Sequence, residues 1–329
     1  MDSNKKILEV KNLRTYFHTF KGVVKAVDDV SFDLNEGEIL GIVGESGGGK
    51  SITGFSLINL IEEPGVIESG SIMFEGQDLT KLSQKKMNTI RGEKISMIFQ
   101  DPMTSLNPVY TIGRQLEEPL KLHTKLNKNE RYERCIELLN DVGISNPEKR
   151  MKNYPYELSG GMRQRVVIAI ALASNPRIII ADEPTTALDV TIQAQILKLL
   201  KKLVTEHQCA LILITHDLAV IAEMADRVNV MYCGKIVETG PVKRIINQCS
   251  HPYTNGLIGS IPSADEKKER LSTIEGVVPN MFELPNGCKF EPRCQNRQPI
   301  CCEKEPSLKE INGAHKVACY FPVEEVTSQ

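Results

Sequence analysis

The chain has 329 residues, and its 40 lysines and arginines nearly balance 42 aspartates and glutamates, for a net charge of −2. This length suits one large domain with a smaller one, and the balanced charge argues against nucleic acid as the main partner. No apolar run approaches the ~20 residues that span a bilayer, and the first six residues are not followed by the long apolar region of an export signal. The sequence therefore predicts an intracellular protein without an export signal.

The first 80 residues predict strands around one helix. Short alternating apolar runs between residues 7 and 34 predict antiparallel strands, and residues 70–79 predict a further hairpin strand. Residues 38–43 predict a buried strand, and residues 52–60 predict the helix that follows it.

The segment between that strand and that helix is a complete P-loop, Gly-Glu-Ser-Gly-Gly-Gly-Lys-Ser. Glycines let successive backbone amides turn toward a phosphate chain, the lysine neutralises the β- and γ-phosphates, and the final serine can hold Mg²⁺. The segment predicts binding of a nucleoside triphosphate such as ATP. The candidate binding residues are Gly44, Ser46, Gly47, Gly48, Gly49, Lys50 and Ser51.

The middle of the chain predicts alternating helices and strands. Residues 129–142 have helical periodicity, and residues 177–181 and 210–214 are continuous apolar runs typical of parallel strands buried on both faces. Helices predicted at 160–174 and 192–206 complete an α/β core with a parallel sheet.

A second phosphate-binding motif lies at residues 158–162, Leu-Ser-Gly-Gly-Met. Its Ser159, Gly160 and Gly161 open a predicted helix, and helix N-termini attract phosphate. One γ-phosphate cannot occupy two such motifs of a single compact domain. The sequence therefore predicts that two copies of the chain, or this chain and a relative, enclose the nucleotide between them.

Polar residues follow several predicted strands. Asp182 ends one strand, where Mg²⁺ needs an outer-sphere or water-mediated carboxylate ligand, and the adjacent Glu183 suits the general base that polarises water. His216 follows the next strand and is predicted to contact the γ-phosphate. Gln100 ends a fourth apolar stretch and can bind both Mg²⁺ and the attacking water.

These motifs, in this order, resemble those of the ATP-binding-cassette (ABC) ATPases over roughly residues 7–250. The resemblance implies a P-loop NTPase core with a RecA-like parallel sheet, an antiparallel β subdomain and an α-helical subdomain at about 101–157. It also implies that Phe17, rather than the neighbouring Tyr16, stacks on adenine. Asp189 becomes the D-loop residue of Ala187-Leu188-Asp189, and Glu183, His216 and Gln100 become the catalytic set.

Longer segments narrow the resemblance to one group. Residues 52–157 carry no sustained heptads, unlike chromosome-maintenance and repair ATPases, and a single cassette is unlike the translation-factor relatives. Residues 100–108, 182–195 and 251–254 resemble dipeptide and oligopeptide importers. This implies a peripheral subunit on the cytoplasmic face of the membrane. The implied partners are two transmembrane permease subunits, a second related ATPase and an extracellular solute-binding protein.

Two alternatives to peptide import remain open at the level of sequence. Nickel importers have similar ATPases, so the cargo is not fixed by the motifs in this chain. A non-transport ABC ATPase of repair or translation is the alternative from another functional class.

A domain boundary is predicted near residue 260, between a domain at residues 1–260 and a Cys-rich extension at 261–329. Five of the nine cysteines lie in the last 42 residues, within this extension. Four thiolates suit an iron–sulfur cluster or tetrahedral Zn²⁺, and the close Cys-x2–4-Cys pairs common in zinc sites are absent from this sequence. The resemblance to peptide-importer tails implies a [4Fe–4S] cluster and selects Cys301 over Cys302. The alternative is four unliganded cysteines. The candidate ligands are Cys288, Cys294, Cys301 and Cys319.

Overall fold

A computed structural model describes residues 5–186, 188–260 and 274–323. The strands of this described part are β1 (Lys6–Thr19), β2 (Gly22–Asn35), β3 (Ile39–Val43), β4 (Gly65–Phe74), β5 (Gln77–Asp78), β6 (Ile95–Ile98), β7 (Ile178–Asp182), β8 (Ala210–Thr215), β9 (Arg227–Tyr232), β10 (Lys235–Pro241), β11 (Lys309–Asn312) and β12 (His315–Val317).

The helices alternate with these strands. They are α1 (Lys50–Leu57), α2 (Gln84–Ile90), α3 (Pro102–Ser105), α4 (Ile112–His123), α5 (Lys128–Asp141), α6 (Pro147–Arg150), α7 (Gly160–Leu172), α8 (Val190–Glu206), α9 (Leu218–Met224), α10 (Val242–Gln248), α11 (Pro252–Gly259) and α12 (Pro299–Glu303). None of the helices in the described ranges is long and apolar enough to cross a membrane.

The chain divides into two compact units. One, called here the P-loop unit, contains a sheet in the order β2-β1-β4-β5, in which β1 and β4 run antiparallel. It also pairs β3 with β9 in parallel, and β9 with β10 and β10 with β12 antiparallel. The P-loop unit consists of Ile7–Leu34, Ile39–Thr80 and the described residues from Ile214 onward.

The other unit, called here the signature unit, carries β6 and β7 as a parallel pair together with most of the long helices. Local sequence explains these helices. Asn127 and Glu130 form a capping box at the start of α5. Asp189 caps α8, whose buried stripe repeats at Ile196, Leu200 and Leu203. The described residues of the signature unit are Lys5 and Lys6, Asn35–Glu38, and Lys81–Leu213 without residue 187.

Most of the predicted elements are present, with shifted ends. The antiparallel strands at 7–34 and the buried strands at 178–182 and 210–215 are found, and every residue of β7 and β8 is buried. The helix after the P-loop begins at Lys50 rather than residue 52 and ends at Leu57. It starts earlier because Gly49 itself is the N-cap, so the last P-loop residues already form the first turn.

The described part of the C-terminal extension contributes β11 and β12, and β12 pairs with β10 through Glu238 and Val317. A buried network supports this pairing, since Glu238 accepts hydrogen bonds from the backbone N–H groups of Ser250 (2.6 Å) and His251 (3.1 Å). The His315 ring bonds to the same carboxylate at 2.7 Å. The charged run at 265–270 lies outside the described residues, and the boundary near residue 260 stays a prediction.

Candidate functional site

The P-loop lies between β3, which is buried throughout, and the N-terminus of α1. Its backbone requires glycine at two points. A Cβ on Gly44 would lie 2.1 Å from the carbonyl oxygen of Met231, and one on Gly49, whose φ is +91°, would lie 2.1 Å from that of Ala26. Both contacts are far below van der Waals distance, so the spacing of these glycines follows from the packing of the loop against β9 and β2.

The lysine of the P-loop is held by the loop itself. Lys50 is 5% exposed, and its Nζ donates to the carbonyl oxygens of Gly44 at 2.8 Å and Glu45 at 2.9 Å. Gly49 is the N-cap of α1 and has no side chain that could bond the first helical amides, and such amides are groups that bind phosphate. The loop before α1 contains Ser46, Gly47 and Gly48, and Ser51 is the second residue of α1.

Two aromatic residues on β1 differ in their surroundings. The Tyr16 hydroxyl donates to Asp28 at 2.6 Å, and burial together with this bond raises the pKa of Tyr16 above its usual range. Phe17 is partly exposed and pairs with Gly65 across the sheet, and a Cβ on Gly65 would lie 2.6 Å from its ring. The lack of a side chain at Gly65 therefore makes room for the Phe17 ring, whereas the Tyr16 hydroxyl is bound to Asp28.

His216 directly follows β8 and is exposed. Behind it, the Thr215 hydroxyl accepts from the backbone N–H of Asp217 at 3.0 Å, and Asp217 caps α9. His216 therefore lies in a turn that is fixed by the Thr215–Asp217 hydrogen bond and by the cap that Asp217 forms on α9.

The signature unit brings Gln100 and Glu183 together. Gln100 Nε2 donates to Glu183 Oε2 at 3.0 Å, and the Thr186 hydroxyl donates to the same oxygen at 2.8 Å. Asp182, at the end of β7, is buried with 3% exposure. Glu183 has a φ of +45°, which is uncommon for a residue with a side chain. Such strain concentrates at functional positions, where surrounding structure holds the residue in place.

The second phosphate motif opens α7 as predicted. Ser159 is the N-cap, its Oγ accepts from the Met162 backbone N–H at 3.3 Å, and Ser159 and Gly160 are exposed. A Cβ on Gly161 would lie 2.8 Å from Ile192 Cγ2 in α8. Asp189 caps that helix by accepting from the Ile192 N–H at 3.1 Å. The starts of α7 and α8 therefore pack together, whereas Ala187 of the predicted D-loop lies outside the described residues.

The four predicted cysteine ligands line one cavity of the P-loop unit, together with Phe290 and Phe321. The backbone N–H of Cys288 donates to the Cys301 carbonyl at 2.8 Å, which brings the first and third cysteines together. Cys302 is instead exposed, and its thiol donates to Glu291 at 3.3 Å. All nine cysteines are free thiols. Within the described ranges, no three His, Cys, Asp or Glu side chains are grouped to hold a single metal ion, so the predicted metal site is not confirmed.

Comparison with known proteins identifies the family. The ABC transporter family profile matches residues 27–186, and the profile for the oligopeptide/dipeptide transporter C-terminal region matches residues 237–301. The oligopeptide transport ATP-binding protein AppD of Bacillus subtilis is 50% identical over 98% of this chain and 99% of its own length. The chain belongs to the ATP-binding subunits of the oligopeptide/dipeptide ABC transporter family.

Other relatives agree with this assignment. The dipeptide transport ATP-binding protein DppD of Haemophilus influenzae is 50% identical over 97% of this chain and 96% of its own length. The oligopeptide transport ATP-binding protein OppD of Escherichia coli is 49% identical over 97% and 94%, respectively. Among solved structures, the dimeric ATP-binding cassette MJ0796, bound to ADP and Pi after hydrolysis, has a TM-score of 0.64 at 30% identity, covering 71% of this chain and 98% of its own. The fold is therefore that of an ABC ATPase, and the enzymatic activity is ATP hydrolysis.

One set of contacts was not found by reading the sequence. The side chain of Arg293, in the extension, forms two hydrogen bonds with the P-loop residue Glu45, and the Tyr253 hydroxyl accepts from the Glu45 backbone N–H. These residues are separated by more than 200 positions, so no local pattern connects them. The only available signal was that an arginine directly precedes Cys294.

Proposed function

We propose that this chain binds and hydrolyses ATP to energise the import of dipeptides or oligopeptides through a membrane permease. The observation that carries this proposal is the near full-length similarity to dipeptide and oligopeptide transport ATP-binding proteins, which extends through the C-terminal region. The geometry of the P-loop and of the Gln100–Glu183 pair supports the ATPase part.

We assign each predicted site residue a role in ATP binding or hydrolysis. Phosphoryl transfer needs positioning and charge neutralisation more than covalent chemistry. Lys50 and the P-loop amides bind the phosphates, and Phe17 stacks on adenine. Glu183 polarises the attacking water, with Gln100 orienting its carboxylate. The remaining assignments are Mg²⁺ binding by Ser51 and Asp182, a γ-phosphate contact by His216, and contacts to a partner's nucleotide by Ser159, Gly160, Gly161 and Asp189.

The partner of this chain is proposed to be a second, related ATPase, with two permease subunits holding the pair at the cytoplasmic face of the membrane. The segment after Gln100 supports a docking role, because it exposes the large apolar side chains of Met103 and Val109.

Deleting the gene for this chain from its host and restoring it on a plasmid tests the cargo. Uptake of radiolabelled di- and oligopeptides should be lost on deletion and recovered with the wild-type chain, but not with Lys50→Ala. Uptake of radioactive nickel should not change. Loss of nickel uptake with intact peptide uptake would support the nickel alternative. Unchanged uptake of both would favour a role outside transport.

We further propose that Cys288, Cys294, Cys301 and Cys319 hold a [4Fe–4S] cluster that fixes the extension in place. The donor set fits, since four thiols from three separate stretches line one cavity whose other walls include aromatic rings. Cysteine is the usual ligand of such clusters, and a small extension without its own large core gains stability from a metal centre. When bound, the cluster supplies covalent cross-links among these stretches.

Anaerobic purification tests the cluster. The wild-type chain should be brown, with about four iron atoms per chain, and Cys294→Ser should lose both colour and iron. Cys302→Ser is the matched control and should keep both, because Cys302 faces solvent. A colourless wild-type chain with stoichiometric zinc would replace the cluster with Zn²⁺. Absence of any metal would remove the proposal.

A further inference from the structure

The side chain of Arg293, in the extension, contacts the P-loop. Arg293 is 4% exposed at its side chain, and its Nη1 and Nη2 donate to the two carboxylate oxygens of Glu45 at 2.5 and 3.0 Å. The same guanidinium donates to the carbonyl of Glu275 at 3.1 Å and to the Tyr232 hydroxyl at 3.3 Å. A fork of two parallel hydrogen bonds fixes direction as well as distance, so the position of Glu45 is set by the extension.

Glu45 is held at its backbone as well. Its N–H donates to the Tyr253 hydroxyl at 2.7 Å, and its carbonyl oxygen accepts from Lys50 Nζ at 2.9 Å. Side chain, amide and carbonyl of this one residue therefore each have a defined partner. A shift of Glu45 would move the carbonyl that holds Lys50, which is the lysine assigned to the phosphates.

Aromatic packing makes this arrangement stiff. Tyr232 and Tyr253 have ring centroids 4.6 Å apart, and Phe290 of the extension lies 5.3 Å from Tyr232 and 5.4 Å from Tyr253. Phe290 and Arg293 are separated by two residues, so the extension contributes both an apolar and a charged contact to the same place. The Gly44 backbone lies against this cluster, since a Cβ there would be 3.5 Å from the Tyr253 hydroxyl.

Charge gives the contact a second consequence. Glu45 stands directly in the loop that is assigned to a triphosphate, and like charges in close proximity repel. Arg293 neutralises this carboxylate and fixes its orientation through two hydrogen bonds. Without Arg293, the loop would present an uncompensated negative charge to an anionic ligand.

We infer that Arg293 is a positioning residue for ATP binding, acting through Glu45 to fix the P-loop and to neutralise its carboxylate. The inference rests on the proposed role of the P-loop as the ATP site. It makes the C-terminal extension part of the nucleotide-binding machinery, because whatever orders the extension also orders the loop.

The test is equilibrium binding of a fluorescent ATP analogue to the full-length chain, with KM and kcat measured in the assembled transporter. Arg293→Gln should weaken binding and raise KM by about tenfold, the worth of one good charge-assisted hydrogen bond, with kcat nearly unchanged. Arg293→Lys keeps the charge but cannot form the two parallel hydrogen bonds, so its ATP affinity should lie between those of wild type and Arg293→Gln. If Arg293→Gln does not fold, Arg293→Lys is the variant that tests the inference.

The second arm asks whether the effect passes through Glu45. In the Glu45→Gln background, Arg293→Gln should change the ATP affinity by less than about threefold, because the carboxylate through which Arg293 acts is already absent. Arg297→Gln is the matched control, an exposed arginine of the same extension paired with Glu291, and should bind as wild type. Melting temperature and bound metal are measured in each variant.

Two outcomes would overturn the inference. Unchanged affinity in Arg293→Gln would show that the contact is without effect on the P-loop. An equal loss of affinity from Arg293→Gln in the wild-type background and in the Glu45→Gln background would show that Arg293 acts through packing of the extension and not through Glu45. Lys50→Ala tests the proposed ATP site separately from the role of Arg293. Wild-type affinity in that variant would contradict the ATP site itself.

Discussion

Replacing Glu183 with Gln is expected to lower the rate of ATP hydrolysis by about 10²–10⁴-fold, the usual contribution of one positioned general base. Nucleotide affinity should stay close to wild type, because the substitution leaves in place the Gly44 and Glu45 carbonyl oxygens that hold Lys50. The amide cannot accept a proton from water. Its oxygen can still accept the hydrogen bond that the Thr186 hydroxyl now gives to Glu183, so the local geometry is largely preserved. The measurement is phosphate release by the assembled transporter, alongside ATP binding.

The control for this variant is Glu206→Gln, at the exposed C-terminal end of α8 in the same unit. It should hydrolyse ATP at the wild-type rate. A loss of less than tenfold in Glu183→Gln would remove the assignment of Glu183 as the base. Gln100 would then need separate examination, since it bonds the same carboxylate oxygen.

The sequence predicted best those features that depend on neighbouring residues. The P-loop, the helix opened by Ser159 and the fully buried strands β7 and β8 are each encoded in runs of five to eight residues, and each is present. Gln100 and Glu183 were each predicted from their place directly after an apolar strand, and not as a pair. The hydrogen bond between them follows because parallel strands such as β6 and β7 end on the same side.

What the sequence did not predict depends on pairings between distant segments. β12 is three residues long and joins β10 about 80 positions earlier, and so short a strand has no periodicity to read. The contact between Arg293 and Glu45 has the same origin, because the burial of Arg293 becomes visible only when the extension is placed on the P-loop unit. Irregular segments fixed by long-range contacts are therefore where the structure added most.

Replacing Ser159 with Asp is expected to abolish most hydrolysis in the assembled transporter while leaving ATP binding to the isolated chain unchanged. The proposed function places Ser159 against the nucleotide of a partner ATPase. A carboxylate at this exposed N-cap would face that γ-phosphate, and two like charges about 4 Å apart in a partly screened site oppose each other by several kcal/mol. Turnover should fall by about a hundredfold or more.

The choice of Asp separates this effect from damage to the helix. Aspartate caps helices as well as serine does, so the bond that Ser159 Oγ accepts from the Met162 N–H can be replaced and α7 should keep its stability. Ser159→Asn is the matched control, because it also caps the helix but adds no charge, and it should retain far more activity. If Asp and Asn reduce turnover equally, the loss reflects a missing hydroxyl contact and not charge. If Asp weakens ATP binding to the isolated chain, the motif acts on the nucleotide of its own subunit and the paired arrangement is wrong.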